Sequence, residues 1–140
     1  MFLLDTDHMS LIERGGAECR RIQARLRSVP LDDIGTTIIS YEEQLRGWLE
    51  RVNQAQTPTR RISIYAQLKK ELRNYCDIPV FEFDEDASNE FERLKSIRIN
   101  IGTMDLKIAS IALANNATIL SRNHSDFGKV PGLKFEDWSI

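Results

Sequence analysis

The stretch Met1-Phe2-Leu3-Leu4-Asp5-Thr6-Asp7 opens the chain and joins a short apolar run to two carboxylates. A run of this length that stops at an acid predicts a buried strand with Asp5 at its C-terminal end. Burial of a carboxylate beside a hydrophobic strand is costly unless the charge has a partner. This stretch therefore predicts a sheet strand and, at its end, a site where acidic side chains need a counter-charge.

Strands and helices are predicted to alternate along the rest of the chain. The β-branched residues 34–39 predict a second strand, and Ser40 is predicted to cap a helix to about residue 54, with Leu45, Leu49 and Val52 packed inward. Further helices are predicted from about residue 7, over 17–27, from Thr57-Pro58-Thr59 to about 75, over 85–93, and from a Thr103 cap to about 115; further strands are predicted over 80–83, 118–120 and 133–136. This alternation predicts one α/β domain over residues 1–140, a three-layer α/β/α sandwich with a mainly parallel central sheet.

Composition narrows the class of protein. The chain has 140 residues, of which 41% are hydrophobic and 29% charged, and its formal net charge is -2. These values are typical of one globular domain whose surface is not strongly basic overall. The two cysteines, Cys19 and Cys76, have no metal-binding spacing, and no apolar run approaches the ~20 residues of a membrane helix. We therefore expect a cytoplasmic protein with reduced thiols and no membrane association.

Acidic residues recur where a predicted strand ends or a predicted helix begins. The positions are Asp5, Asp7, Glu42, Glu43, Asp105 and Asp126. In a parallel sheet these positions meet at one edge, where a divalent cation would relieve the repulsion between the carboxylates. Hard oxygen ligands favour Mg²⁺, with Mn²⁺ as an alternative. Such an ion can orient a phosphodiester and activate a water molecule.

Each acid also has a structural interpretation. Glu43 fits the third position of a capping box that begins at Ser40, Asp105 suits the positive end of a helix, and Asp126 suits a turn. Helical phase slightly favours Glu42 over Glu43 as the inward-facing acid. The coincidence of four acidic sites, at Asp5, Glu43, Asp105 and Asp126, indicates a metal site more strongly than any one of them does.

Four segments of the sequence contain these acidic residues, and they follow one another along the chain. They are Leu4-Asp5-Thr6-Asp7, then Glu43 with Gly47 four residues later, then Asp105-Leu106-Lys107-Ile108-Ala109, and finally Ser121-Arg122-Asn123-His124-Ser125-Asp126-Phe127, followed by Val130-Pro131-Gly132-Leu133 and Asp137-Trp138. Each segment resembles a motif of the PIN-domain family, and together they span nearly the whole chain. The length and the ending resemble VapC-type toxins rather than larger PIN proteins.

This resemblance implies a role for each site residue. Asp5 and Asp105 would be the main Mg²⁺ ligands, and Glu43 and Asp126 would complete the catalytic acids. Thr6, Asp7, Ser121 and Asn123 would be supporting polar groups. Some relatives place the fourth acid at the position of Asn123, and the glycine spacing favours Glu43 over Glu42.

The resemblance also implies an activity and partners. It implies a PIN-like endoribonuclease in which a metal-activated water cuts RNA to a 5′-phosphate and a 3′-hydroxyl, with transfer or ribosomal RNA as common targets. It implies a homodimer that is the toxin of a type II toxin–antitoxin pair. The cognate antitoxin would insert a segment into the active-site groove, and operator DNA would be bound only through that antitoxin.

Basic and aromatic side chains on the middle helices suggest an RNA path. Arg46 and Arg51 are candidate RNA-binding residues, and Trp48 and Tyr65 could stack on bases. The structural alternatives are a solvated helix face for the arginines and core or dimer packing for the aromatics. His8 and His124 are separate in the sequence, which disfavours a zinc site.

Three other functions fit parts of the sequence. Asp5-Thr6-Asp7 also matches the nucleophile motif of haloacid-dehalogenase-type phosphatases, but His8-Met9 follows where that family has a loop of small residues. A non-catalytic binding module is disfavoured by the retained acids. A housekeeping PIN nuclease of RNA maturation is barely separated from a toxin by the sequence.

Overall fold

The computed structural model describes residues 1–140 as a five-stranded sheet between two layers of helices. The strands are β1 (Phe2–Leu4), β2 (Ile34–Thr37), β3 (Val80–Phe81), β4 (Thr118–Leu120) and β5 (Lys134–Glu136). The helices are α1 (Thr6–Arg14), α2 (Gly16–Leu26), α3 (Ile38–Gln54), α4 (Pro58–Cys76), α5 (Glu85–Ser96), α6 (Thr103–Ala114) and the short α7 (His124–Phe127), and a 3₁₀ turn spans Leu31–Asp33. The predicted α/β/α sandwich is confirmed.

All strand pairs are parallel, and the sheet order is β3-β2-β1-β4-β5. Strand β1 is therefore central, and the chain builds the sheet outward from it first on one side and then on the other. Such a reversal leaves a crevice beyond the carboxyl ends of the central strands. Asp5, which follows β1, stands at this crevice.

Alternation along the short strands divides the hydrophobic residues between the two faces of the sheet. Leu3 and Ile119 belong to a cluster with residues of α5 and α6, and Leu4 and Leu120 belong to a second cluster on the opposite face. The second cluster contains residues of α1 and α2 and Tyr75 of α4. Helix α6 buries six residues, which explains why its sequence is apolar on nearly all sides.

The start of α3 differs from the prediction. The strand β2 ends at Thr37 rather than residue 39, and Thr37, not Ser40, caps the helix by accepting the Ser40 backbone N–H at 3.1 Å. The capping-box interpretation of Glu43 is therefore wrong. Leu49 was predicted to pack inward, but its side chain is 46% exposed because the inward face of α3 includes the polar residues Ser40 and Gln44.

Smaller boundary differences occur elsewhere. Thr103 is the first residue of α6 rather than its cap, because Gly102 holds the N-cap position without a side-chain bond. Gly35 in β2 lies so close to β3 that an added Cβ would stand 2.6 Å from the Phe81 ring, so a side chain there would separate the two strands. None of the helices combines the length and apolarity that a membrane crossing requires.

Candidate active site

The carboxylate at the end of β1 is almost fully buried. Asp5 is 5% exposed and caps α1, because its Oδ1 accepts the backbone N–H of His8 at 2.9 Å. Burial raises the pKa of Asp5 to about 7, the Ser121 hydroxyl and the His8 amide oppose this rise, and the charges of Asp7 and Asp105 add to it. This acid is therefore held where its ionised form needs a nearby cation.

Glu43 reaches the same place from α3. The Thr6 hydroxyl donates to Glu43 Oε1 at 2.6 Å, which ties the first turn of α1 to α3. Glu42, one residue earlier, instead forms an exposed ion pair with Arg46. The structure therefore places Glu43 rather than Glu42 beside Asp5.

Asp105, in the first turn of α6, is linked to the loop after β4. The Asn123 side-chain amide donates to Asp105 Oδ2 and to Asp126 Oδ2, each at 3.1 Å. Burial raises the pKa of Asp105 to about 6, the charges of Glu43 and Asp126 add to it, and the Asn123 bond opposes it. Asn123 thus separates two carboxylates that would otherwise repel each other.

These groups line one polar cleft of about 330 Å³, which we call the acidic cleft. Its lining residues are Asp5, Thr6, Asp7, Ser10, Arg14, Glu43, Asp105 and Asn123. Asp126 lies beside the cleft rather than on its wall, where Lys129 Nζ stands 3.4 Å from its Oδ1. Ser121 is fully buried, and its hydroxyl accepts the Asn123 backbone N–H at 2.9 Å. Of the four predicted catalytic acids, three therefore line the cleft and the fourth adjoins it.

Asp7 already has a protein cation. Arg122 binds it in a bidentate pair, with Nε donating to Oδ2 at 2.8 Å and a terminal nitrogen to Oδ1 at 2.5 Å. This pair fixes the loop after β4 against α1. Because both oxygens of Asp7 are engaged, its role in the structure is to join two elements of the site.

His8 forms a close group with Asp5 and Asp7, whose potential ligand atoms lie within 4.8 Å of one another. Its Nε2 accepts the backbone N–H of Trp138 at 3.2 Å, so the neutral ring carries its proton on Nδ1. Burial lowers the pKa of His8, which keeps the ring neutral. The Nδ1–H faces the two carboxylates at 3.8 and 3.9 Å and has no lone pair for a metal. His8 therefore anchors the C-terminal segment through Nε2, and its buried Nδ1 has no hydrogen-bond partner.

The donor set fits a hard divalent cation. Asp5 and Asp105 are carboxylates with raised pKa values, and the Asp7 charge is already neutralised by Arg122. Only oxygen donors remain for an ion in the cleft, and oxygen donors are what Mg²⁺ and Mn²⁺ prefer.

A second and larger cleft, of about 610 Å³, continues from the first between α1, α3 and α4. We call it the larger cleft. The two clefts share Thr6, Ser10, Arg14 and Glu43. Arg51, a predicted RNA-binding residue, lines this second cleft, whereas Arg46 lies outside both clefts and pairs with Glu42.

Several residues of the site were not singled out from the sequence. Ser10 lies one helical turn after Thr6, and that spacing could have placed it on the same wall. Arg122 directly follows Ser121 at a strand end and could have been noted as a counter-charge. Gln44 donates to Ser10 at 3.1 Å and accepts from the Tyr75 hydroxyl, a network between three helices that no sequence spacing indicates.

Solved structures share this fold across the whole chain. The chain is similar to a chain of VapBC-1 from nontypeable Haemophilus influenzae, with a TM-score of 0.70 and 22% identity over 99% of this chain and 98% of that chain. It is also similar to a chain of FitAcB from Neisseria gonorrhoeae, with a TM-score of 0.73 and 23% identity over 100% of both chains. A chain of VapBC2 from Rickettsia felis, solved with a promoter DNA fragment, gives a TM-score of 0.69 and 20% identity over 98% of both chains. At these identities the likeness shows the fold.

A curated relative matches a short segment. Ribonuclease VapC2 of Rickettsia felis is 47% identical over 38 residues, which is 27% of this chain. The match spans 28% of that relative's length.

The family model for the PIN domain matches residues 2–133, which includes every acid of the polar cleft. The match therefore covers the elements that position the site, from β1 to the turn before β5. On this match and the shared fold, the chain belongs to the PIN domain family.

Proposed function

We propose that the protein is a Mg²⁺-dependent endoribonuclease and the toxin of a type II toxin–antitoxin pair, with Mn²⁺ as an alternative metal. The observation that carries this proposal is the convergence of the carboxylates of Asp5, Glu43 and Asp105 in one polar cleft, where the pKa values of Asp5 and Asp105 are raised to about 7 and about 6. Membership of the PIN domain family and the name of the curated relative, a ribonuclease, support the same activity.

Asp5 and Asp105 would hold the ion, and Glu43 and Asp126 would complete its acidic surroundings. A divalent ion there supplies charge to neutralise the carboxylates, orients the phosphodiester and lowers the pKa of a water molecule. Thr6 engages Oε1 of Glu43, which leaves the other oxygen available to accept a proton from the attacking water. Asn123 keeps Asp105 and Asp126 at fixed separation.

The reaction is an in-line hydrolysis. The water oxygen forms a bond to phosphorus as the bond from phosphorus to the 3′ oxygen breaks, which gives a 5′-phosphate and a 3′-hydroxyl. The water gives one proton to Glu43, and the leaving oxygen takes one from solvent. Arg14 lines the cleft and donates only its Nε to the Ser10 carbonyl, so the rest of its guanidinium can contact the phosphate.

The partners are proposed on the same basis. The substrate is RNA, with transfer or ribosomal RNA as the expected class, and the toxin acts in the cytoplasm as a homodimer. The similar structures are of VapBC and FitAcB proteins, and one of them was solved with promoter DNA. We infer a cognate antitoxin for this chain, with operator DNA bound through it. A housekeeping PIN nuclease would have no such partner.

The test uses the wild type, Asp5→Asn and the matched control Asp32→Asn, which changes an exposed acid of the 3₁₀ turn. Each protein is incubated with total RNA and Mg²⁺, with an EDTA control, and the RNA ends are mapped. We expect discrete fragments with 5′-phosphates from the wild type and Asp32→Asn, and none from Asp5→Asn or in EDTA. Equal cleavage by Asp5→Asn would refute the metal mechanism.

A further inference from the structure

The larger cleft, which continues from the acidic cleft, has an unusual lining for its size. Of the eleven residues around its 610 Å³, one is hydrophobic, and that one is Trp48. Three cations, Arg14, Arg51 and Lys70, also line it. A single aromatic side chain among cations is the combination that binds single-stranded nucleic acid, because a base stacks on the ring and phosphates meet the cations.

Two charged side chains lie near the Trp48 ring. The Arg51 guanidinium lies 4.4 Å from the ring centroid, which orients the indole and places a cation beside it. Glu71 of α4 is 2% exposed and lies near the Trp48 indole, and its Oε1 has no hydrogen-bond partner. Burial raises the pKa of Glu71, the neighbouring Glu13 carboxyl adds to this rise, and the Trp48 indole opposes it.

Gly47, next to Trp48, has no structural reason to lack a side chain. It lies inside α3, where glycine is less favourable than alanine, yet a Cβ added there would meet nothing within 4 Å. Because Gly47 lines the larger cleft, a side chain at this position would project into the open space of that cleft. The glycine keeps the space beside Trp48 open.

We propose that Gly47 and Trp48 form a nucleotide subsite, in which a base of single-stranded RNA lies over Gly47 and stacks on Trp48 while Arg51 and Lys70 contact its phosphates. This rests on the proposed nuclease function, and it defines the substrate as an unpaired strand beside the cleaved bond. The four residues shared by the two clefts connect this subsite directly to the acidic cleft.

The lining favours a polynucleotide over a protein segment. Grooves that bind helices or peptides present several apolar pockets to anchor side chains. This cleft presents one aromatic ring, and its other lining residues are polar, charged or glycine. Of its two acids, Glu43 belongs to the acidic cleft and Glu13 accepts a hydrogen bond from Asn74 at 3.1 Å.

The experiment measures binding apart from cleavage. A fluorescein-labelled single-stranded oligoribonucleotide of mixed sequence is titrated in Ca²⁺, and fluorescence anisotropy reports binding while a gel confirms that the probe stays intact. Gly47→Leu fills the cleft, Trp48→Ala removes the ring, and Trp48→Phe restores an aromatic face. The matched control is Asn53→Leu, which adds the same side chain to an exposed position of α3 outside the cleft. Thermal melts verify that each variant is folded.

We expect Gly47→Leu and Trp48→Ala to weaken binding about tenfold or more, and Trp48→Phe to recover most of the loss. Asn53→Leu binds as the wild type does. Lys70→Gln reduces the slope of log affinity against log salt by about 0.7.

Each contrary result has a separate meaning. If the wild type cuts RNA and Gly47→Leu and Trp48→Ala bind and cut equally well, the subsite is refuted while the nuclease stands. If Gly47→Leu no longer binds a co-expressed antitoxin but still binds the oligonucleotide, the cleft is a binding site for the protein partner. The nucleotide subsite is then refuted as well. A wild type that neither binds nor cuts RNA contradicts both proposals.

Discussion

The carboxylates of Asp5 and Asp105 lie in the acidic cleft, where their ionised forms are energetically unfavourable. Asp5 and Asp105 have raised pKa values because burial and neighbouring acids disfavour their ionised forms. Asn123 and Ser121 offset part of this cost but supply no positive charge. A divalent cation would compensate the charges of the ionised carboxylates, so the folded protein's stability should depend on pH and on metal together.

The first prediction concerns pH in the absence of metal. Between the ordinary value of 3.8 and the folded values of about 6 and about 7, Asp105 and Asp5 bind protons in the folded state that the unfolded chain releases. Their stabilisation is therefore complete below about pH 4 and is lost as pH rises through about 7. In EDTA we expect a Tm lower by about 10 °C at pH 8 than at pH 5, measured by calorimetry.

Mg²⁺ should restore the stability that is lost as pH rises, because it binds the ionised carboxylates. The rise in Tm on adding Mg²⁺ should be larger at pH 8 than at pH 5. Glu71, with its pKa raised to about 8 by burial and Glu13, contributes a pH dependence of the same sign that metal does not touch. The Asp5→Asn, Asp105→Asn double variant separates the two, since only the metal-sensitive part should vanish. A Mg²⁺ effect that is independent of pH would contradict the assignment.

At the scale of the secondary-structure element, α3 shows what the sequence could and could not predict. The β-branched run before Ser40 correctly indicated a strand, and the apolar periodicity after it indicated a helix. The boundary was wrong because Thr37 belongs both to β2 and to the cap, a role that either threonine or serine can fill. Leu49 was misplaced because the inward face of α3 carries the polar network of Ser40 and Gln44.

The second prediction tests this cap. Thr37→Ala removes the hydroxyl that accepts the Ser40 N–H and should lower the free energy of unfolding by ~1–2 kcal/mol. Ser40→Ala leaves that bond in place and should cost less. Thr37→Ser keeps the hydroxyl and serves as the control. The midpoints of urea unfolding give the order, and a larger loss for Ser40→Ala than for Thr37→Ala would restore Ser40 as the cap.

At the scale of the whole molecule, the convergence of the acids followed from the parallel topology alone. Once strands and helices alternate, residues after each strand must meet at one edge of the sheet. The sequence could not predict the contacts made across long distances along the chain, such as Asp7 with Arg122 or His8 with Trp138. The cleft beside Trp48 was also missed, because the packing of α3 against α4 creates it.

Helix α4 has more apolar surface than this one chain buries. Ile64, Leu68, Glu71 and Tyr75 recur at helical spacing on its inward side. Ile62, Tyr65 and Leu72 share a different face and are 73%, 54% and 53% exposed. Large exposed side chains on one stripe of a helix are typical of a surface that another protein covers.

The third prediction is that this face of α4 forms the expected homodimer. The protein alone should sediment as a dimer, and Ile62→Asp combined with Leu72→Asp should give a monomer, because each buried charge would lack a partner. Ser63→Asp, on an exposed position of the same helix away from this face, should leave the dimer intact. An unchanged dimer in the double variant would place the interface elsewhere. A monomeric wild type would contradict the proposed homodimer. The exposed face of α4 would then be expected to bind the proposed antitoxin, and the same double variant should abolish that binding.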